Sequence, residues 1–207
     1  MEGVWGNREV PPAPTARFLD YWLRALVATP GVTAIGDLEE AKRVLLEDSL
    51  RGADVVSRLD GPIIDVGSGG GVPGIPLAAA LPEREVTLLE ANRRKCDFLR
   101  EWAPPNALVV QGRAEEQEVD RFGVAVAKAL APPPVAAEWC LPLVRPGGAA
   151  VLWVGPSADE SHVARVAEQL GAELEANAHG LLVLRKVAPT PPGFPRRTGV
   201  ARKRPLA

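Results

Sequence analysis

The run Ile63-Ile64-Asp65-Val66-Gly67-Ser68-Gly69-Gly70-Gly71 carries an apolar stretch into an acid and four glycines, with Val72-Pro73 directly behind. It reads as a strand, a glycine turn and a helix start that meet at one carboxylate. Glycine lacks Cβ, so the backbone turns with positive φ and lets a ligand approach closely. Open α/β sheets bind their ligands beyond the carboxyl ends of the strands. The run therefore predicts a ligand site at the head of a parallel sheet.

The rest of the chain supports that architecture. After Pro62 the sequence alternates between strand and helix patterns, which implies a mainly parallel sheet. The predicted strands are Ile63–Val66, Glu85–Glu90, Ala107–Val110, Val124–Lys128, Ala149–Val154, Glu173–Ala178 and Leu181–Val187. Helices are predicted over Pro73–Ala80, Asn92–Trp102, a short piece near Arg113–Gln117, Pro134–Pro142 and Ala158–Leu170. Only Asn177-Ala178-His179-Gly180 marks the break between the last two strands, so they form a hairpin with an antiparallel edge. The expected fold is a class I methyltransferase-type, Rossmann-like α/β fold, with a seven-stranded sheet and N-terminal helices.

Those helices come first. Phe18, Leu19, Trp22, Leu23, Leu26 and Val27 fall at helical spacing within 15–28. Asp37 with Glu40 gives a capping-box-like start to a second helix, Leu38 to about Leu59, with a break near Gly52. Residues 1–60 read as an irregular segment plus helices packed on the sheet domain, 61–188 as the sheet domain, and 189–207 as a basic tail.

At 207 residues, 46% hydrophobic and 24% charged, the chain has the size and composition of one globular domain. It has no apolar run of about 18 residues, so no membrane span is expected, and the start lacks a signal-peptide pattern. Cys96 and Cys140 form no CxxC pair, so neither a disulfide framework nor a metal site is expected. The expectation is a cytoplasmic monomer. The net charge of −2 is uneven. From Ala176 onward there is no Asp or Glu, while Arg185, Lys186, Arg196, Arg197, Arg202, Lys203 and Arg204 carry +7. A basic end on an acidic body points to a local anionic partner.

The glycines alone leave the ligand open. Gly69-Gly70-Gly71-Val72-Pro73-Gly74 matches G-x-G-x-x-G, which keeps an NAD-dependent oxidoreductase as one reading. In the other register Asp65 stands two residues before Gly67, with Gly69 and Gly71 following. A carboxylate there would repel a pyrophosphate but suits S-adenosylmethionine, whose α-ammonium is cationic. The competing role for Asp65 is to bond loop amides. Glu90 ends the second strand, where an acid can accept both ribose hydroxyls. After the third strand, Ala114-Glu115 lies where a small residue and an acid border an adenine, and Pro146-Gly147-Gly148 is a further methyltransferase-like punctuation.

At this point the chain resembles one family, the ribosomal RNA small-subunit methyltransferase G family, also called glucose-inhibited division protein B. The residues that carry the resemblance are Ile64 through Ala78, Val86 through Glu90, Arg94 through Arg100, Arg113 through Glu116, and Pro195 through Leu206. Asp48-Ser49-Leu50 matches ahead of the sheet. The resemblance implies methyl transfer from S-adenosylmethionine to guanine N7 in the 530 loop of bacterial 16S rRNA, free or in the small subunit. It implies cofactor contacts from Gly67, Val72, Ala114, Glu115 and Lys128. It also implies RNA contacts from the terminal motif, here Arg196, Arg197, Arg202, Lys203 and Arg204. Lys128 stands where the family usually has Arg, Val154 where it has a basic residue, and Leu45 where it has His. Those departures motivate a second reading, a non-catalytic RNA-binding paralogue.

Guanine N7 has a free lone pair and needs no deprotonation, so the implied reaction rests on alignment and assigns no general base. His162 and His179 accordingly read as structural. Lys128 reads as a cofactor or phosphate contact, or else as a salt bridge at a strand end. Arg93, Arg94, Lys95 and Arg100 share a helix whose Phe98, Leu99 and Trp102 read as core; two or three of the four bases read as facing solvent, with extension of the basic surface toward RNA as the alternative. The proline-spaced tail reads as extended, with Phe194 its nearest aromatic.

Overall fold

The computed structural model describes residues 13–178 and 180–206. Seven strands form one sheet: β1 (Ile63–Val66), β2 (Val86–Glu90), β3 (Ala107–Gln111), β4 (Phe122–Lys128), β5 (Val144–Trp153), β6 (Ala172–Ala178) and β7 (Leu181–Lys186). Their spatial order is β3-β2-β1-β4-β5-β7-β6. The first five strands are mutually parallel, and β7 runs antiparallel to both β5 and β6. The expected hairpin is present, but its antiparallel member is not the edge. The return strand β7 inserts beside β5 and leaves β6 outermost, because Leu181–Leu184 is apolar on both faces and must be covered on both.

The strands show why they read as near-continuous apolar runs. Successive side chains point to opposite faces, and each face has its own core. Ile63, Val124, Val126, Val151 and Val183 belong to one cluster. Their neighbours Ile64, Ala125, Ala127, Leu152 and Leu184 belong to the other.

The nine α-helical segments among the described residues are α1 (Ala13–Ala28), α2 (Leu38–Ala41), α3 (Asp48–Leu50), α4 (Ala53–Ser57), α5 (Gly74–Ala80), α6 (Arg93–Trp102), α7 (Pro133–Cys140), α8 (Glu160–Gln169) and α9 (Val200–Lys203). In α1 the predicted stripe is the packed one, with Leu19, Trp22, Leu23 and Leu26 buried in the first core. Trp22 Nε1 also donates to the Gly70 carbonyl at 3.1 Å, tying α1 to the glycine turn. Asp37 caps α2 by accepting from the Glu40 amide at 2.8 Å. The predicted second helix is less regular than expected. It passes through a π-helical turn, Lys42–Glu47, between α2 and α3 and breaks at Arg51-Gly52 before α4. A Cβ on Gly52 would collide with the Trp153 ring, so the break lets the chain pass close over that indole.

The C-terminal residues are not an extended tail. Lys186, fully buried, donates to Thr190 Oγ1 (2.8 Å) and to the Leu141 carbonyl (3.1 Å), and Asp120 accepts from Thr190 Oγ1 at 2.7 Å. Phe194 and Leu206 then pack on the second core, and α9 closes the chain. Phe194 therefore serves packing. Among the described residues no helix is long and apolar enough to cross a membrane.

Candidate active site

The carboxyl ends of β1, β2 and β4 open into a cavity of about 430 Å³, within the range of roughly 300–1,000 Å³ typical of small-molecule sites. The glycine turn forms its floor. Gly67 has φ +72°, and a Cβ there would collide with Leu130; a Cβ on Gly70 would collide with Leu26 of α1. Bare backbone is therefore what allows the turn, α1 and the β4 loop to meet around one space.

Glu90 at the end of β2 lies in the wall and organises the turn. Its Oε2 accepts from the Gly69 amide at 2.9 Å and its Oε1 from the Asn92 amide at 2.7 Å. An ionised carboxylate has about four lone-pair sites, so acceptor capacity remains for ligand hydroxyls. Of the other predicted residues, Gly67, Gly69, Val72, Ala114, Glu115 and Lys128 also line the cavity.

Asp65 and Gly71 do not line it. Asp65 is fully buried behind the turn, where Oδ2 accepts from the Gly74 amide at 3.0 Å and Oδ1 has no partner among the described residues. Burial raises its carboxyl to about 7, and the nearby Glu90 charge adds to the effect. Its role in the structure is thus the loop-amide one, not an ammonium contact on the cavity surface. Gly71, at φ +99°, leaves no room for a Cβ against Ile75 and shapes the turn into α5.

Lys128 combines two of the roles read for it. It lines the cavity, and its Nζ lies 3.1 Å from Asp48 Oδ2 and donates to the Val44 carbonyl at 2.8 Å. The π-helical turn and the start of α3 are thereby fastened to the end of β4. Leu45 reaches the cavity wall from the same π-helical turn, whereas Val154 lies outside it.

The basic terminal residues divide. Arg196 forms a two-pronged pair with Glu138, at 2.5 Å for each contact, and Glu138 is only 3% exposed. Its guanidinium also donates to the Arg204 carbonyl at 2.9 Å. Arg196 is thus a clamp holding the C-terminal segment down, and it has little left for a phosphate. Arg202 lines the cavity, while Arg197, Lys203 and Arg204 are exposed outside it.

Arg113, Leu130 and Trp139 of the wall were not singled out from sequence, and Lys95 was read as a surface base and not as a wall residue. Lys95 and Arg113 sit directly beside motif residues, and that adjacency was a usable signal. Trp139 was not legible, because its partner Arg202 lies far along the chain, with the guanidinium 5.7 Å from the indole centroid. His162 is an exposed residue of α8 beside Asp159 at 3.5 Å, and His179 lies outside the described residues. Cys96 and Cys140 are free and buried; burial pushes both thiols up. Among the described residues no group of three or more metal-ligating side chains converges.

A profile described as rRNA small subunit methyltransferase G matches residues 22–179. The chain belongs to the rRNA small subunit methyltransferase G family. Relatives bearing that family name include one from Synechococcus elongatus, 38% identical over 84% of this chain and 82% of its own. Another from Rubrobacter xylanophilus is 38% identical over 81% and 75%, and one from Synechococcus strain JA-3-3Ab is 36% identical over 100% and 93%. Among solved structures, the fold matches a SAM-dependent O-methyltransferase of Thermotoga maritima at TM-score 0.55 and 16% identity, over 78% of this chain and 73% of that one. It also matches a T. thermophilus 16S rRNA N2 methyltransferase, solved with AdoMet and guanosine, at TM-score 0.51 and 16% identity, over 69% of this chain and 40% of that one. These likenesses establish the class I methyltransferase fold, and family membership comes from the sequence relatives.

Proposed function

We propose that this chain transfers the methyl group of S-adenosylmethionine to 16S rRNA of the small ribosomal subunit, at guanine N7 in the 530 loop. The observation that carries the reading is the cavity of this family member, where Glu90 and a Cβ-free turn meet at the sheet's carboxyl edge. An acid with spare acceptor capacity, set at the end of β2, suits a ribose diol. The turn has few amides left for a pyrophosphate, because those of Gly67 and Ser68 are given to the Leu89 carbonyl, that of Gly69 to Glu90, and those of Gly71 and Val72 to the Ser68 carbonyl.

The bound donor supplies an electrophilic methyl group. The chain's residues then have three tasks. Glu90 and the glycine turn hold the donor, with Ala114 and Glu115 beside its base. Lys128, neutralised by Asp48, keeps the β4 end in place without setting an unpaired cation against a purine that gains positive charge. The exposed Arg197, Lys203 and Arg204 attract RNA phosphates. No side chain is needed to take a proton from guanine N7, which suits a site with no histidine among the described residues of its wall.

The oxidoreductase reading rests only on the glycine spacing and is not supported by the family. A non-catalytic role remains the reading opposed by the test. Small subunits from cells lacking the native modification are incubated with the protein and tritiated donor, and the product nucleoside is identified by mass spectrometry. Label in 7-methylguanosine is expected; no label, with RNA still bound, identifies the RNA-binding paralogue. The reading also takes the chain to act as a monomer in the cytoplasm, where its ribosomal substrate resides; light scattering tests the first.

A further inference from the structure

The cavity wall beside Glu115 is built by the C-terminal segment. Gly199 N–H donates to Glu115 Oε1 at 3.1 Å, and both residues line the cavity. One turn later in α9, Arg202 stands over the Trp139 indole, and both of these line it too. Trp139 Nε1 is buried and has no hydrogen-bond partner among the described residues. A buried indole N–H ordinarily finds an acceptor. The segment is firmly placed for such a role, with Ala201 2% exposed and Arg196 clamped on Glu138.

We propose that Trp139 and Arg202 are cofactor-binding residues that close the purine end of the methyl-donor site, with Trp139 Nε1–H donating to a ring nitrogen of the adenine. This rests on the methyltransferase reading above and deepens it. Arg202 is thereby assigned to the cofactor, not to RNA. The charges agree with this orientation. Adenine is neutral and offers ring-nitrogen acceptors and a π-face, so it tolerates a guanidinium stacked on an indole. The ribose diol belongs at Glu90, which holds the glycine turn through Gly69, so the cationic sulfonium and ammonium lie beyond it, away from Arg202. Because Gly199 caps α9 and Arg202 lies within it, a bound base also braces the basic segment that carries Arg197 and Lys203.

The test is calorimetric titration with S-adenosylhomocysteine, without RNA, of the full chain and of Trp139→Phe and Arg202→Gln. Loss of one neutral hydrogen bond predicts about three- to tenfold weaker binding for Trp139→Phe, and loss of the exposed stack about two- to fivefold for Arg202→Gln. Melting temperatures without ligand should be close to that of the parent for Arg202→Gln, whose side chain is exposed, so that variant carries the test even where Trp139→Phe folds poorly. Unchanged affinity in Arg202→Gln, with weakened binding to 16S rRNA, would overturn the assignment and return Arg202 to the RNA surface. Unchanged affinity for both ligands overturns it as well. A parent chain that binds no S-adenosylhomocysteine defeats the methyltransferase reading itself, which is a separate result.

Discussion

Lys128 Nζ, at the end of central strand β4, lies 3.1 Å from Asp48 Oδ2 of the N-terminal helices. The Lys128 side chain is 10% exposed and that of Asp48 30%. The same aspartate pairs with Arg51 at 2.7 Å, and its carbonyl accepts from Trp153 Nε1 at 2.8 Å. One residue thus ties the helices to two neighbouring strands and to the cavity wall.

Removing the cation should therefore cost both stability and ligand affinity. Lys128→Met leaves Asp48 still paired with Arg51, so the expected loss is modest, about 1–2 kcal/mol, or roughly 2–8 °C in melting temperature for a chain of this size. Affinity for S-adenosylhomocysteine should fall as well, because the π-helical turn that carries Leu45 into the wall is released. Calorimetry and thermal melts of Lys128→Met check both. A variant as stable and as tight-binding as the parent would show the pair to be idle.

Asp65 predicts a pH dependence. Its carboxyl sits at about 7 in the folded chain against an ordinary value of 3.8, because burial disfavours the charge. Folding therefore takes up a proton between these values. The associated stability is fully present below about pH 4 and is lost as pH rises through 7. Between pH 5 and pH 8 the loss from this group is about 2–3 kcal/mol. Asp65→Asn keeps an acceptor for Gly74 N–H and carries no charge, so that part of the pH slope should vanish. Urea midpoints for the two chains across this range decide the matter; parallel curves would mean that Asp65 does not titrate as stated.

Glu90 should matter most for ligand binding, since it both braces the turn and faces the cavity. Hydrogen bonds to a charged group are worth about 1.5–3 kcal/mol, so Glu90→Ala should weaken S-adenosylhomocysteine binding by roughly ten- to a hundredfold. Glu90→Gln, which keeps one oxygen for Gly69 N–H, should lose less. Equal affinities of both variants and the parent would remove Glu90 from the site.

The basic terminus should separate into two kinds of arginine. Arg196→Ala strands the buried Glu138 carboxylate, and breaking such a pair costs about 3–5 kcal/mol when burial is complete. With the Arg196 side chain 22% exposed, roughly 2–4 kcal/mol is expected, seen as a lower unfolding midpoint. Arg197→Ala with Lys203→Ala should leave that midpoint in place. RNA affinity should fall instead, with a log–log salt slope shallower by about 1.4 for single-stranded contacts. A destabilised double variant, or an unaltered salt slope, would contradict the division.

Much of the architecture was legible from local pattern. Strand β1 matches its predicted span, and α5, α6 and α8 fall within two residues of prediction at each end. Seven of the nine expected cofactor residues reach the cavity, because positions beside a strand's carboxyl end are set by the strand itself. The misses share a cause. Asp65 was read as reaching the ligand's ammonium, with loop-amide bonding as the alternative, and strand alternation and the turn's path put it behind the glycines in the second role. The tail looked extended because proline spacing says nothing about what lies beneath, and Glu138 and Asp120 lie beneath.

By itself the amino-acid sequence determined the strand–helix alternation, the glycine corner and the family, since these depend on side-chain periodicity and short-range backbone preference. Only the tertiary structure decided that β7 inserts beside β5, that Arg196 is consumed by a carboxylate 58 positions away, and that Trp139 meets Arg202 at the cavity. Those pairings arise when the packing of two cores brings remote segments together, and buried charge and polar atoms then take the partners that packing supplies.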